Sequence, residues 1–189
     1  MTTDNLEENQ IEIWICLVCG YWHSPILSKK WLVDCGDVEP LLKLVGNRKV
    51  EAVLLTHAHF DHIYGLPLLL VKFPDIEIYT NKWGRHALAD DKLNMSRYHE
   101  SPVLVDGSNV HLISEGERVC GLDVYETPGH NPSCICYANS DAIFTGDAYI
   151  PGCNVVTNLP NCDKAQADAS LERILTLSEG RTVYPGHTV

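Results

Sequence analysis

Short apolar runs that end at a glycine or a polar residue recur along the first half of the chain, and this pattern predicts β-strands. Leucines at helical spacing fill residues 39–45 and stop at Gly46-Asn47, which predicts a helix with a glycine end. A second helix-like apolar stretch covers residues 63–71. We predict strands in this half at residues 11–19, 31–35, 50–56 and 76–80.

The second half of the chain continues the alternation. Residues 163–177 have apolar positions at helical spacing and predict its longest helix, whereas residues 81–100 show no clear pattern. Strands interleaved with helices indicate an α/β fold. No linker divides the 189 residues, so we expect a flexible tail at 1–10 and one domain at 11–189. The predicted strands are 110–113, 122–127, 134–138, 142–145 and 181–184.

Charge and composition exclude several classes of protein. The net charge is −11 and the basic residues are scattered, so a nucleic-acid partner is disfavoured and a small-molecule substrate is expected. No apolar stretch approaches the roughly 20 residues of a membrane span. The first ten residues lack the basic start and apolar core of a secretory signal, which predicts a cytoplasmic protein.

Eight cysteines are expected to be reduced thiols in that compartment. Cys16 and Cys19 have the CxxC spacing, but they lie in an apolar run without a second such pair, so we interpret them as core thiols. Cys134 and Cys136 alternate along a predicted strand and should face the same side.

The sequence His57-Ala-His59-Phe-Asp61-His62 is the densest group of chemically active residues. Three histidines and one aspartate at these offsets should occur by chance in about one chain in a thousand. In an extended turn residues i and i+2 point to one side, so His57 and His59 can hold one ion. Asp61 and His62 come next, at a predicted helix start, where they can reach a second ion.

Three more candidate ligands follow predicted strands: His130, Asp147 and His187. His130 and His187 both come after a Val-Tyr strand segment and a Pro-Gly pair, which suggests that one strand-end geometry is used twice. Neutral imidazoles and carboxylates suit zinc, iron and manganese. Five histidines and two aspartates are enough for two ions, the recurring hydrolytic arrangement. A structural zinc would need only four ligands, often cysteines.

The motifs Thr56-His-Ala-His-Phe-Asp-His62, Thr127-Pro-Gly-His130, Phe144-Thr-Gly-Asp147 and Tyr184-Pro-Gly-His187 together resemble those of the metallo-β-lactamase superfamily, in the same order. The resemblance covers residues 11–189 and implies a four-layer αββα sandwich with two divalent ions, zinc first, with iron or manganese as alternatives. It implies that one ion is held by His57, His59 and His130, the other by Asp61, His62 and His187, and that Asp147 bridges them.

The bridging Asp147 resembles the glyoxalase II, lactonase and tRNA-nuclease branches rather than the zinc β-lactamases. His59 also distinguishes this sequence from the flavodiiron oxygen reductases, which have a glutamate at that position. The resemblance implies a metal-bridging hydroxide that attacks a small ester, thioester or lactone, with Asp61 and Asp147 in catalytic roles. The alternatives are a phosphodiesterase or nuclease-type hydrolase and an iron-dependent persulfide dioxygenase-like oxidoreductase.

The sequence stops two residues after His187, whereas glyoxalase II continues into a helical region that holds glutathione. We therefore expect glutathione thioesters to be poor substrates. The short end would also leave an edge that a second subunit could cover, making a homo-oligomer.

Four further residues are candidates near the ions. Asp34, in Asp34-Cys-Gly36, resembles an early family segment and is expected to hydrogen-bond a ligand histidine. Tyr149 could reach the substrate oxygen, although its offset fits the lactonase pattern poorly, and Asn131 and Asn154 are weaker candidates of the same kind. The remaining histidines are interpreted as surface or core residues: His23, His86, His99 and His111.

Overall fold

Four parallel strands form the first of two sheets in the computed structural model, which describes residues 31–47 and 49–187. The predicted tail, the predicted strand at 11–19 with its CxxC pair, and His23 lie outside the described residues. The strands are paired in chain order, with Leu32 opposite Val53 and Val53 opposite Ile78. They are β1 Trp31–Val33, β2 Ala52–Leu54, β3 Glu77–Thr80 and β4 Val110–Leu112.

The second sheet has five strands, also in chain order. Its pairs are antiparallel except the last, which is parallel, so the last two strands end at the same edge. The strands are β5 Arg118–Val119, β6 Leu122–Glu126, β7 Ile135–Ala138, β8 Ala142–Gly146 and β9 Thr182–Pro185.

Local sequence explains where the helices begin and end. Gly46 ends the first with a φ of 58°, a conformation that glycine adopts without penalty. The side chains of Asn81 and Asp163 accept backbone N–H groups at the start of the fourth and fifth helices. The helices are α1 Val38–Val45, α2 Phe60–Ile63, α3 Leu66–Lys72, α4 Lys82–Leu88 and α5 Lys164–Leu177, with a 3₁₀ turn at Ser96–Tyr98.

Strand side chains point alternately to the two faces of their sheet. The two sheets pack face to face and helices cover their outer faces, which gives four layers. Ala52 and Leu54 of β2 face the second sheet, where they pack with strand residues such as Tyr137. Val53 faces the other way, into a cluster formed with α1, α2 and α3. On the outer face of the second sheet, Cys136 packs against Ile174 of α5. The predicted αββα sandwich is therefore confirmed.

Several local predictions can be compared with this structure. Cys134 and Cys136 do face one side, as expected, and the described cysteines are free thiols. The patternless stretch 81–100 contains α4 and the 3₁₀ turn, and the two-residue strand β5 had no detectable sequence signal. Within the described residues, no helix is long and apolar enough to cross a membrane.

Candidate metal centre

The predicted ligands come from four loops that meet at one edge of the sandwich. Residues 57–62 follow β2 and lead into α2, and His130 follows the turn after β6. Asp147 comes directly after β8, and His187 lies just beyond β9. The structure brings all seven side chains together in three overlapping groups, each with its ligand atoms within 4.8 Å of one another. The groups are His57, His59 and His130; His57, His62 and Asp147; and Asp61, His62 and His187.

Asp147 lies between the two sets of histidines. Its Oδ2 is 3.3 Å from His187 Nε2 and 3.8 Å from His130 Nε2. Its Oδ1 is 3.3 Å from His62 Nε2. On the outer side, Asp61 Oδ2 is 3.4 Å from His187 Nε2. One carboxylate thus contacts members of both predicted ligand sets, which is the position that a bridging ligand needs.

Three buried atoms at this point make no hydrogen bond of good geometry within the described residues, although the last two lie 3.3 Å apart: His57 Nε2, His62 Nε2 and Asp147 Oδ1. Leaving a buried polar atom unsatisfied costs about 1–3 kcal/mol. Three such atoms in one place are explained if a cation lies among them. The residues present therefore fit a divalent ion.

The charge state of the histidines also suits an ion. Burial, together with the neighbouring His130, lowers the pKa of His59 to about 4. Burial likewise puts the pKa of His57 well below its usual value, with His62 adding to the effect. Both imidazoles are therefore neutral at pH 7 and offer a ring-nitrogen lone pair, the form in which histidine binds metals.

His187 behaves in the opposite way. Its contacts with Asp147 and Asp61 raise its pKa to about 10, so it is an imidazolium when no ion is bound. Burial raises the pKa of the Asp147 carboxyl, but contacts with His187 and His62 outweigh burial and the pKa ends well below its usual value. A positive charge between Asp61 and Asp147 is thus favoured, and a divalent cation would supply it.

Asp34 lies behind the centre in a left-handed conformation, with a φ of 59°. Its carboxylate accepts from the Thr56 backbone N–H and hydroxyl, both at 2.7 Å, and contacts His62 Nδ1 at 2.8 Å. Burial lowers the pKa of His62, but the contacts with Asp34 and Asp147 together outweigh burial and raise it. Because Asp34 engages Nδ1, His62 turns Nε2 toward the centre.

We expect Asp34→Asn to lower the free energy of unfolding by about 1–3 kcal/mol, because an amide replaces one of two accepting oxygens in a buried site. It should also weaken ion binding at His62 by about 10–100-fold, the usual effect of losing such a contact. Chemical denaturation and metal titration measure the two effects. The exposed Asp141→Asn is the control, and an Asp34→Asn variant that matched it in both measurements would contradict this role.

The structure places the weaker candidates differently. Asn131 lies against His59, with its Nδ2 2.8 Å from His59 Nε2. Tyr149 packs against the apolar cluster beneath α5, and Asn154 is exposed on the following loop. A contact missed by sequence reasoning is His130 Nδ1 with the backbone oxygen of Val156, at 2.9 Å. A backbone carbonyl carries no residue signature, so only the fold reveals it. The described histidines outside the cluster are exposed: His86, His99 and His111.

The chain matches the family model of the metallo-β-lactamase superfamily over residues 25–187. It is 32% identical over 159 residues to a hydroxyacylglutathione hydrolase of Aeromonas hydrophila, which covers 82% of this chain and 56% of that protein. The chain spans about half the length of the hydroxyacylglutathione hydrolases that it matches.

Two solved structures are similar to it over most of both chains. One is the BLEG-1 B3 metallo-β-lactamase, with a TM-score of 0.75, 31% identity and coverage of 85% of this chain and 82% of that one. The other is TTHA1623 in a di-iron-bound form, with a TM-score of 0.73, 30% identity and coverage of 83% and 81%.

Proposed function

This chain belongs to the metallo-β-lactamase superfamily, and from that membership and the geometry of its centre we propose that it is a metal-dependent hydrolase of a small ester, thioester or lactone. The observation that carries the proposal is the position of Asp147, whose two oxygens face histidines of both ligand sets at 3.3–3.8 Å. A structural ion would need only one closed set of ligands.

We assign His57, His59 and His130 to a first metal position, and Asp61, His62 and His187 to a second, with Asp147 shared. Two divalent ions bound there would supply Lewis acidity and lower the pKa of a bound water toward neutrality. Zinc is the proposed metal on the chemistry of the donors. The di-iron form of the TTHA1623 neighbour supports iron as the alternative.

The exposure of the ligands indicates where a substrate would approach. His57 and His62 are fully buried, whereas the side chains of Asp61 and His187 are 41% and 27% exposed. The open side of the centre is therefore the side of the second metal position. Asp61 lies there as an ionised carboxylate, since contacts with His187 and His62 outweigh burial and lower its pKa. It can orient a nucleophilic water and take up its proton.

Carbonyl substrates are favoured over phosphodiesters. The relatives called hydroxyacylglutathione hydrolase are named for the hydrolysis of a thioester. A net charge of −11 also repels a polyanion such as RNA. The absence of disulfides among the described cysteines fits a reducing compartment, so we also propose a cytoplasmic location.

The proposal is tested by metal analysis followed by a substrate panel on the same preparation. We expect about two ions per chain after purification without chelator. With its metals verified, the protein should hydrolyse at least one of an aryl ester, a lactone and two thioesters, one of glutathione and one of another thiol. It should be much slower on a β-lactam, a bis-phosphodiester and glutathione persulfide. A metal content near zero from metal-replete cells would refute the binuclear centre.

A further inference from the structure

The ring of His59 is held from both sides. Its Nδ1 faces the centre, 3.0 Å from His130 Nε2, and its Nε2 faces away, 2.8 Å from the side-chain nitrogen of Asn131. Asn131 is fully buried, so its carboxamide has no water to bond with instead. Since a carboxamide nitrogen can only donate, Nε2 accepts in this contact and a neutral ring has its proton on Nδ1, the nitrogen that an ion would need.

Asn131 is itself fixed by its neighbours. Its side-chain oxygen accepts from the Ser133 backbone N–H at 2.9 Å and from the Ser133 hydroxyl at 2.6 Å. The same hydroxyl accepts from the N–H of Ala58, the residue between His57 and His59, at 3.0 Å. The hydrogen bonds that run from His59 through Asn131 and Ser133 therefore lead back to the segment that carries His59. This closed loop of hydrogen bonds restricts both the position and the rotation of the imidazole.

A second anchor attaches this turn to α4. The side chain of Asn81 donates to the backbone oxygen of Pro132 at 3.1 Å and accepts the N–H of Gly84 at 2.9 Å. Asn81 is thus a structural neighbour of the turn, and within the described residues its side chain bonds Pro132 and Gly84 rather than His59. Asn81 supports the same turn without contacting His59, so it is the control for a loss of support to the turn.

We propose that Asn131 is a positioning residue for His59, setting the orientation of the ring and the place of its proton. The inference rests on the proposed function, since His59 is assigned to the first metal position. An imidazole that binds an ion through Nδ1 carries its proton on Nε2, and this proton needs a buried acceptor. The carboxamide can present its oxygen there by half a turn about its last bond, at the expense of its bonds with Ser133.

The need for an acceptor at His59 Nε2 ranks the variants at position 131 by their affinity for the ion. Asn131→Ala leaves the Nε2 proton without an acceptor, and the first metal position should bind about 10–100-fold more weakly. Asn131→Asp has two accepting oxygens, one for Ser133 and one for His59 Nε2–H, so no turn is needed. It should bind the ion at least as tightly as the natural residue does.

The test is a zinc titration of metal-free protein against a chromophoric chelator, repeated in a His187→Ala background in which the second metal position is disabled. Asn131→Ala should lose affinity in both backgrounds, Asn131→Asp should regain it, and Asn81→Ala should lower the melting temperature with unchanged zinc affinity. If wild type binds two ions and Asn131→Ala binds zinc as tightly as wild type does, this inference alone is overturned. A zinc affinity of Asn131→Asp more than about tenfold below that of wild type would also overturn it. No zinc bound to wild type would overturn the proposed function as well.

Discussion

Asp147→Asn should abolish most hydrolysis and empty both metal positions together. The carboxylate contacts His62 and His187 of one proposed ligand set and His130 of the other, so it is the residue whose charge both ions would share. An amide of the same shape keeps the packing but removes the negative charge that offsets two cations. We expect the metal content to fall from about two ions to below one, and kcat to fall by about 10²–10³-fold or more.

Asp61→Asn is the matched comparison, because it changes the other carboxylate of the centre by the same atom. Asp61 contacts His187 on the exposed side and is assigned to the proposed second metal position alone. It should therefore lose one ion and retain the other, with a smaller loss of kcat. The two variants are compared by elemental analysis and by rates on the best substrate of the panel. An equal loss of metal in the two variants would mean that Asp147 does not bridge. Full activity in both variants would contradict the proposed roles of Asp61 and Asp147.

The sequence predicted those parts of the centre that depend on local spacing. The offsets of His57, His59 and His62 are set within one turn, so the residues alone reveal a ligand group. His130, Asp147 and His187 could be added because each follows an apolar strand, and strand ends of one sandwich meet at common edges. Chain order and spacing were therefore enough to collect seven residues, although none of the distances among them could be predicted.

Contacts made across the fold were not predictable in the same way. Asn131 was interpreted as a substrate contact, yet its carboxamide reaches His59, 72 residues away in the chain. The Val156 carbonyl that bonds His130 depends on the path of an exposed loop. Buried polar groups find partners wherever the fold supplies them, so these contacts become visible only when the layers are assembled.

Gly186, beside the candidate ligands, is another residue whose role could not be predicted from the sequence. A Cβ on Gly186 would lie 2.2 Å from Asp147 Oδ1 and 2.8 Å from His62 Cε1, so the chain passes too close to the centre for any side chain. From the sequence the Pro-Gly pair before His187 indicated a turn. The structure adds that the glycine is needed because two ligands lie against it.

His187→Ala should remove the second ion while the fold persists. The side chain is 27% exposed and contacts Asp61, Asp147 and the ring of His62, so few packing interactions are lost. The backbone before it stays anchored through β9 and the bond from Gly186 N–H to the Gly146 oxygen, at 2.9 Å. We expect about one ion per chain and a 10²–10³-fold lower kcat, with far-ultraviolet circular dichroism unchanged. His86→Ala, an exposed histidine on α4, should retain both ions and full rate. If His187→Ala also retained two ions and full rate, the second metal position would require a different donor.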